Sequence, residues 1–237
     1  MINKLILQNL IKKYYLDGLS NAVTWDIEDN NINVKTVSLN KDLVSVINYR
    51  DVNLVDNQLH IFDTFQLNKL VNILDDEIFI DFHKKNNSLL KLLISDNKFN
   101  LKYSLGNKTL IPNAPEITEP EYDASLTLEM GDILDIIKAK SALNDAEDII
   151  ITDDMGMGVE FQLGRDDDYS NRISYTLQNQ VDVSSFKLKV PANYIKEIFT
   201  SNKDALIGKL SIFYNGLVKF SFEGEDWTSS YFIVSNN

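Results

Sequence analysis

Cysteine is absent from the 237 residues of this sequence, which excludes a disulfide framework, a thiolate zinc site and a cysteine nucleophile. Only two histidines are present, His60 and His83, and each lies in an alternating pattern typical of a β-strand, where a structural role is the more common one. The sequence also lacks a Walker loop, a dinucleotide-binding glycine motif, and the HExxH and GxSxG motifs. These absences predict a protein that is not an enzyme and that uses no cofactor and no metal ion.

Long apolar runs are also missing, since no stretch approaches the roughly 20 residues that a membrane-spanning helix needs. The N-terminal stretch has Asn, Lys or Gln at every second or third position, unlike the continuous apolar run of a signal peptide. With 44% hydrophobic residues, nine glycines and four prolines, the composition is that of a globular protein. We expect a soluble protein of a reducing compartment, the cytoplasm, with no membrane partner.

Positive charge is scarce, because 23 Lys and Arg residues stand against 35 Asp and Glu residues, for a net charge of -12. Domains that bind nucleic acid usually display a basic surface. The total therefore argues against a nucleic-acid partner, and the placement of the few lysines becomes the deciding observation.

The predicted elements occur twice, about 125 residues apart. Residues 5–34 and 131–161 each contain an amphipathic helix followed by a strand hairpin, and residues 64–105 and 191–235 each contain a helix followed by three strands. A chain of 237 residues can hold two domains that each bury a core. We predict an α+β fold built by duplication, with a first domain at residues 1–106, a connector at 107–122 and a second domain at 123–237.

Each predicted helix carries lysine on its solvated side. Apolar residues recur with the helical period at residues 2–16, 64–74, 132–143 and 191–201. The lysines on or beside the polar faces of these helices are Lys4, Lys12, Lys13, Lys69, Lys138 and Lys196, of which Lys13 flanks the apolar side. Lysine is common on exposed helix faces, but its recurrence at equivalent places of a duplicated fold favours a shared role.

The segment at residues 106–122 contains three of the four prolines and breaks both helical and strand periodicity, so it reads as an extended connector. Leu110, Ile111 and Pro112 are apolar within this otherwise polar segment. Two interpretations stay open: these residues pin the connector to a domain, or they form one wall of a groove for partner peptides.

Three features of the chain carry a resemblance to a known family: the order of helices and strands, the proline-containing connector, and the hairpin NGLVKFSFEGE with its closing strand YFIV. In these features the chain resembles the DNA polymerase sliding clamp, or processivity factor, of T-even-type bacteriophages. The similarity extends thinly over the whole chain and is densest in DILDIIKAKSAL and from Arg172 onwards. The chain departs from that family in a longer fourth-helix region and in the acidic Asp132 and Asp135 of the third helix.

The resemblance implies a duplicated sliding-clamp fold, in which two domains each pack two helices on antiparallel sheets. It also implies a homotrimeric ring whose helix lysines meet the phosphates of double-stranded DNA without sequence specificity, while acid-rich loops and sheets face outward. The implied partners are the replicative DNA polymerase, an ATP-driven clamp loader and the transcription machinery. For a phage-encoded clamp, the implied location is the cytoplasm of the bacterial host.

By analogy with clamps, residues 99–105 of one subunit pair with residues 172–177 of the next. The side chains that alternation places on the interface sides of these strands are Phe99, Leu101, Tyr103, Ile173, Tyr175 and Leu177. The alternative is that both segments are ordinary interior strands.

Two other classes of function stay open at this level. Duplicated strand-rich domains also build oligomeric shells, which suits a virion or structural interaction protein. A hydrolase that holds a hard cation on the acidic cluster at residues 166–168 is the third interpretation.

Overall fold

The computed structural model describes residues 2–86, 88–153, 158–165, 167, 169–177 and 185–235. The chain divides into two compact units, one formed by Met1–Pro115 with Asp226–Ser229 and the other by Glu116–Glu225 with Ser230–Asn237. This division falls inside the predicted connector at residues 107–122, and the predicted domain bounds themselves remain a prediction.

The first unit contains two helices and eight strands. Their bounds are β1 (Ile2–Asn3), α1 (Lys4–Tyr15), β2 (Val23–Glu28), β3 (Asn31–Val37), β4 (Leu43–Tyr49), β5 (Asn57–Ile61), α2 (Thr64–Asn72), β6 (Glu77–Lys85), β7 (Ser88–Ser95) and β8 (Asn100–Ser104). Strands are hydrogen-bonded in the orders β5-β2-β3-β4 and β1-β6-β7-β8.

The second unit repeats this inventory. Its elements are β9 (Ala124–Leu128), α3 (Met130–Ala142), β10 (Asp148–Asp153), β11 (Glu160–Gly164), β12 (Arg172–Thr176), β13 (Phe186–Pro191), α4 (Ala192–Ser201), β14 (Ile207–Phe213), β15 (Leu217–Glu223) and β16 (Trp227–Val234). The first three residues of β16 are assigned to the first unit. The strand orders are β13-β10-β11-β12 and β9-β14-β15-β16.

The strand orders of the two units correspond element by element: β1 matches β9, β2 to β5 match β10 to β13, and β6 to β8 match β14 to β16. Both units thus place one helix between their first two strands and the other between their fifth and sixth. The prediction of an α+β fold made by duplication, with two helices on antiparallel sheets in each half, is confirmed.

Local side-chain hydrogen bonds explain where the helices begin. Asn3 Oδ1 accepts the backbone N–H of Leu5 at 2.8 Å before α1, and Asp63 Oδ1 accepts that of Gln66 at 3.0 Å before α2. At the start of α3, the Asp132 carboxylate accepts the backbone N–H of Glu129 at 2.9 Å. Each bond satisfies a donor that the first turn would leave unpaired.

The cores follow from helical spacing. Helix α1 buries Leu7, Leu10, Ile11 and Tyr14, which recur at three- and four-residue intervals along one face. In the second unit, Phe199 of α4 packs edge-on against Phe220 of β15, with ring centroids 5.2 Å apart. Burying one such side chain contributes about 1.5–3 kcal/mol. Among the described residues, no helix has the length and apolar character needed to cross a bilayer.

Candidate nucleic-acid interface and subunit edges

Two of the predicted lysines of the first unit reach solvent. Lys12 is exposed on α1. Lys69 is exposed on α2, where its Nζ lies 3.9 Å from the ring centroid of Phe65. The two helices pack together, and Gln8 of α1 donates to Asn72 of α2 at 2.7 Å. Lys12 and Lys69 are therefore ammonium groups held on an adjoining pair of helices.

Lys4 is oriented differently from the prediction. Its Nζ donates to the carbonyl oxygen of Leu74 and lies 3.9 Å from Asp76 Oδ1, and only 13% of its side chain is exposed. Since this ammonium satisfies a carbonyl beyond the end of α2, Lys4 joins the two helices and offers little charge to a ligand.

The prediction that Lys13 contacts nucleic acid is wrong for this chain. The side chain is buried, at 1% exposure, and its Nζ lies 3.6 Å from the ring centroid of Trp227. A cation above an indole face is stabilised by the ring quadrupole, which compensates part of the cost of burial. Lys13 thus belongs to the core of the first unit.

The lysines of the second unit lie beside acids. Lys138 of α3 has a 75% exposed side chain and an ion pair with Asp135 at 2.8 Å, one helical turn away. Lys196 of α4 is 34% exposed and lies 3.5 Å from Glu197 Oε1. These neighbouring carboxylates weaken the local positive potential, so this helix pair presents less net positive charge than its lysine count indicates.

Lys140 is a buried lysine that helical periodicity leaves ambiguous. Its Nζ donates to the carbonyl oxygen of Asn144 at 2.7 Å, just beyond the end of α3. Burial lowers the pKa of Lys140, and the nearby Lys196 ammonium lowers it further. This lysine stabilises the carbonyl end of its helix.

Strands β8 and β12 each lie at the edge of a sheet. Among the described strands, β8 pairs with β7 alone in its four-stranded order, and β12 pairs with β11 alone. The alternative that these segments are interior strands is therefore wrong. An edge strand keeps backbone N–H and C=O groups available to another strand.

Only some of the predicted interface side chains remain available on these edges. Tyr103 is 4% exposed, stacks on Phe62 and donates its hydroxyl to the carbonyl oxygen of Asp63 at 3.0 Å. Leu177 is 1% exposed. Both side chains are buried in the core of their own unit. They therefore offer no surface to a second subunit.

The remaining predicted interface residues stay partly exposed. Phe99, in the turn before β8, is 40% exposed, and Leu101 and Ile173 are half-buried. Tyr175 donates its hydroxyl to Asp132 Oδ1 at 2.7 Å, and burial together with this carboxylate raises its pKa. Each edge thus has a partly apolar inner side beside its free backbone.

The apolar tripeptide of the connector projects into solvent. Leu110, which ends a short 3-10 turn, is 60% exposed, and Pro112 is exposed, whereas Ile111 is half-buried. The connector is fastened further along by a polar contact, in which Lys219 Nζ of β15 lies 2.7 Å from Glu119 Oε2. The exposure of Leu110 disfavours the interpretation that this residue pins the connector.

The acids and histidines do not form a metal site in the part of the chain that the structure describes, which contains no group of three or more potential ligands. Asp166 and Asp168 lie outside the described residues. Nδ1 of His60 lies 3.0 Å from Oγ1 of Thr24 on the neighbouring strand. This hydrogen bond gives His60 a structural role.

Of the comparisons with known proteins, the one with solved structures gives matches. No model of a protein family matches the sequence, and no curated protein sequence matches it. Among solved structures, proliferating cellular nuclear antigen (PCNA) from Entamoeba histolytica matches with a TM-score of 0.76 and 18% identity, over 99% of this chain and 96% of that one. PCNA of A. fulgidus, bound to the C-terminal region of FEN-1, matches with a TM-score of 0.77 and 12% identity, over 100% of this chain and 97% of that one.

The chain has the sliding-clamp fold. The finer resemblance, to the clamps of T-even phages, stays a prediction. The lysines predicted from the sequence to bind DNA differ in their exposure. Lys12, Lys69 and Lys138 are exposed helix lysines, Lys196 is partly covered, and Lys4 and Lys13 are structural.

Proposed function

We propose that this chain is a DNA sliding clamp, in which three copies close into a ring around duplex DNA and tether a replicative polymerase. The observation that carries the proposal is that β8 in the first unit and β12 in the second each lie at the edge of a sheet. Two different edges on one chain allow a head-to-tail contact, and head-to-tail contacts generate closed rings when the rotation closes. This function needs no catalytic group.

The exposed helix lysines supply the proposed contact with DNA. Lys12, Lys69 and Lys138 are long, mobile cations that reach phosphates and read no base sequence. Each phosphate contact adds a salt-sensitive contribution of about 0.9 to the slope of log K against log salt. With few such contacts, retention depends on enclosure, which lets the ring slide.

Threading onto linear DNA tests this function without a loader. At low salt, a closed ring should load onto a linear duplex through its free ends, and it should fail to load when both ends have been blocked beforehand by a bulky protein. Co-sedimentation of the chain with open-ended and end-blocked duplexes of equal length measures the difference. Equal binding to both would show side-on attachment, and no binding to either would favour the virion or structural alternative.

Partners are proposed to dock on the connector. The A. fulgidus PCNA structure contains the C-terminal region of FEN-1, so a clamp fold can hold a protein tail. Here Leu110 and Pro112 offer exposed apolar surface on the connector. We propose that this segment binds the peptide tails of the DNA polymerase, the ATP-driven clamp loader and the transcription machinery. For a phage-encoded protein, the proposed location is the cytoplasm of the bacterial host.

Replacing the exposed apolar surface with polar side chains should weaken tail binding. The variant L110S/I111S is expected to bind a labelled C-terminal peptide of the cognate polymerase several-fold more weakly, because one buried leucine or isoleucine contributes about 1.5–3 kcal/mol. Fluorescence titration of both proteins measures this, with T109S as the matched control in the same turn. Equal dissociation constants would place the groove elsewhere, within the second unit.

A further inference from the structure

One end of the solvent face of strands β6 to β8 is basic although the chain as a whole is acidic. Strand alternation turns Ile78, Leu92 and Ile94 into the core and the intervening residues outward. The pairing register arranges the outward residues in three rows across the strands: Phe79, Ser95 and Asn100; Asp81, Leu93 and Lys102; His83, Lys91 and Ser104.

Positive charge concentrates at one end of this grid. Lys84 and Lys85 follow His83 at the end of β6 and are exposed, as is Lys102, while Lys91 is half-buried. In the described part of the chain, no ion pair is formed by any of these four lysines. Alternation along β6 places Lys85 on the side of Phe79 and His83, and Lys84 on the opposite side at the exposed end of the strand. We call the surface formed by Phe79, Lys85, Lys91 and Lys102 the basic face, and the exposed carboxylates of Glu77 and Asp81 lie on the same side of β6, toward its other end.

The spacing of the lysines suits a chain of phosphates. Lys91 lies opposite Ser104, so Lys102 is its diagonal neighbour on β8, at a distance of about 7–8 Å. Successive outward positions along one strand are about 6.8 Å apart, and neighbouring strands are about 4.8 Å apart. Flexible lysine side chains on such a grid can reach consecutive phosphates of one extended strand.

An aromatic ring distinguishes this face from a purely ionic one. Phe79 is 53% exposed and lies on the same side of the sheet as Lys91 and Lys102. Lys102 is one row away from Phe79, and Lys91 is two rows away. Surfaces that bind single strands combine a positive track for the backbone with aromatic rings on which bases stack. A duplex keeps its bases paired, and an acidic peptide carries no base, so neither would use the ring in this way.

We propose that the basic face binds single-stranded nucleic acid without sequence preference, through phosphate contacts to Lys85, Lys91 and Lys102 and stacking of one base on Phe79. The expectation that sheets carry the acidic surface does not hold for this end of the sheet. The site lies on a sheet, apart from the helix lysines proposed to meet duplex DNA, and it does not rest on ring formation.

The test measures binding of a labelled oligothymidine of about twelve nucleotides by fluorescence anisotropy. The variant K85E/K91E should bind at least tenfold more weakly, and its log K should depend on log salt with a slope smaller by about 1.4, at about 0.7 for each phosphate that is no longer neutralised. Lys102 is left unchanged because its backbone lies on an edge proposed to join subunits. F79A should weaken binding about fivefold or more, because the base can no longer stack on the ring.

The matched control is K187E/K209E, which changes the net charge by the same amount at exposed sheet positions of the second unit and should leave oligothymidine binding unchanged. Equal losses in the two double variants would show that the effect depends only on overall charge and would overturn the proposal. Binding of a polyglutamate peptide that equals that of the oligonucleotide, with no effect of F79A, would overturn it in favour of an acidic protein partner. Failure of oligothymidine to bind the wild-type chain would also overturn it, while leaving the threading result on duplex DNA untouched. Unchanged thermal unfolding midpoints are required of every variant.

Discussion

Proline at Ser174 is expected to abolish ring closure and leave folded single chains of 27.1 kDa. The proposed ring joins β12 of one subunit to β8 of the next, and proline removes a backbone donor from that contact. Analytical ultracentrifugation at low micromolar concentration should show the wild type at three times the mass of the S174P chain. Threading onto duplex DNA should disappear together with the ring.

The register explains why Ser174 is the position to change. The backbone N–H of Leu177 donates to the carbonyl oxygen of Val159 at 2.9 Å, so this residue points its backbone groups toward β11. Backbone direction alternates along an antiparallel strand. Tyr175 and Ile173 therefore also bond to β11, whereas Ser174 directs its N–H to the free edge, where proline leaves the sheet of its own unit intact.

The same reasoning applied to β8 selects Lys102 and excludes Leu101. Leu105 N–H donates to the carbonyl oxygen of Leu90 at 2.9 Å, which places the backbone groups of Tyr103 and Leu101 toward β7 and those of Lys102 toward the edge. K102P should thus reproduce the effect of S174P, while L101P should also unfold its sheet. S174A is the matched control and should remain a trimer. A trimer formed by folded S174P would exclude β12 as the closing edge.

The sequence was sufficient for the helices and for the duplication because both depend on local periodicity. Apolar residues at three- and four-residue intervals predicted four helices, and the structure places them at Lys4–Tyr15, Thr64–Asn72, Met130–Ala142 and Ala192–Ser201. The two units then follow the predicted order of strands because the same pattern of helices and alternating segments recurs.

The environment of individual lysines could not be predicted in this way. Lys13 is covered by Trp227, which comes from the opposite end of the chain, and Lys4 is held by a carbonyl beyond α2. Helical periodicity assigns a residue to a face but does not say which distant segment packs over it. The basic face was missed for a related reason, since Lys91 and Lys102 become neighbours only when the register of β7 and β8 is known.

The positions of β8 and β12 at the edges of their sheets could not be predicted from the sequence either. Alternating residues predict a strand and its two sides, but they carry no information on which strands pair. In the structure, Tyr103 is buried and its neighbour Lys102 is exposed, as alternation along a strand requires. The interface role predicted for Tyr103 was wrong, because its inner side is filled by Phe62 of the same unit.

Charge reversal of the three exposed helix lysines should weaken duplex threading at least tenfold at about 50 mM salt while leaving the trimer assembled. K12E/K69E/K138E replaces attraction for phosphates with repulsion on every subunit of the ring, so each change acts three times. Lys4, Lys13 and Lys196 are excluded because two of them are structural and the third lies beside Glu197. The salt dependence of log K should also become flatter by about 0.9 for each phosphate that is no longer neutralised.

The control for this variant is K84E/K85E/K91E, which carries the same net charge but alters a sheet instead of the helices. It should thread as the wild type does, because the proposed ring meets DNA through its helix lysines and not through this sheet. Co-sedimentation with open-ended duplex measures both triple variants, and ultracentrifugation confirms that both are trimers. Normal threading by the helix variant at low salt would mean that these lysines do not meet DNA. The short range of screened charges makes low salt the decisive condition, since at high salt all three proteins should converge on weak binding.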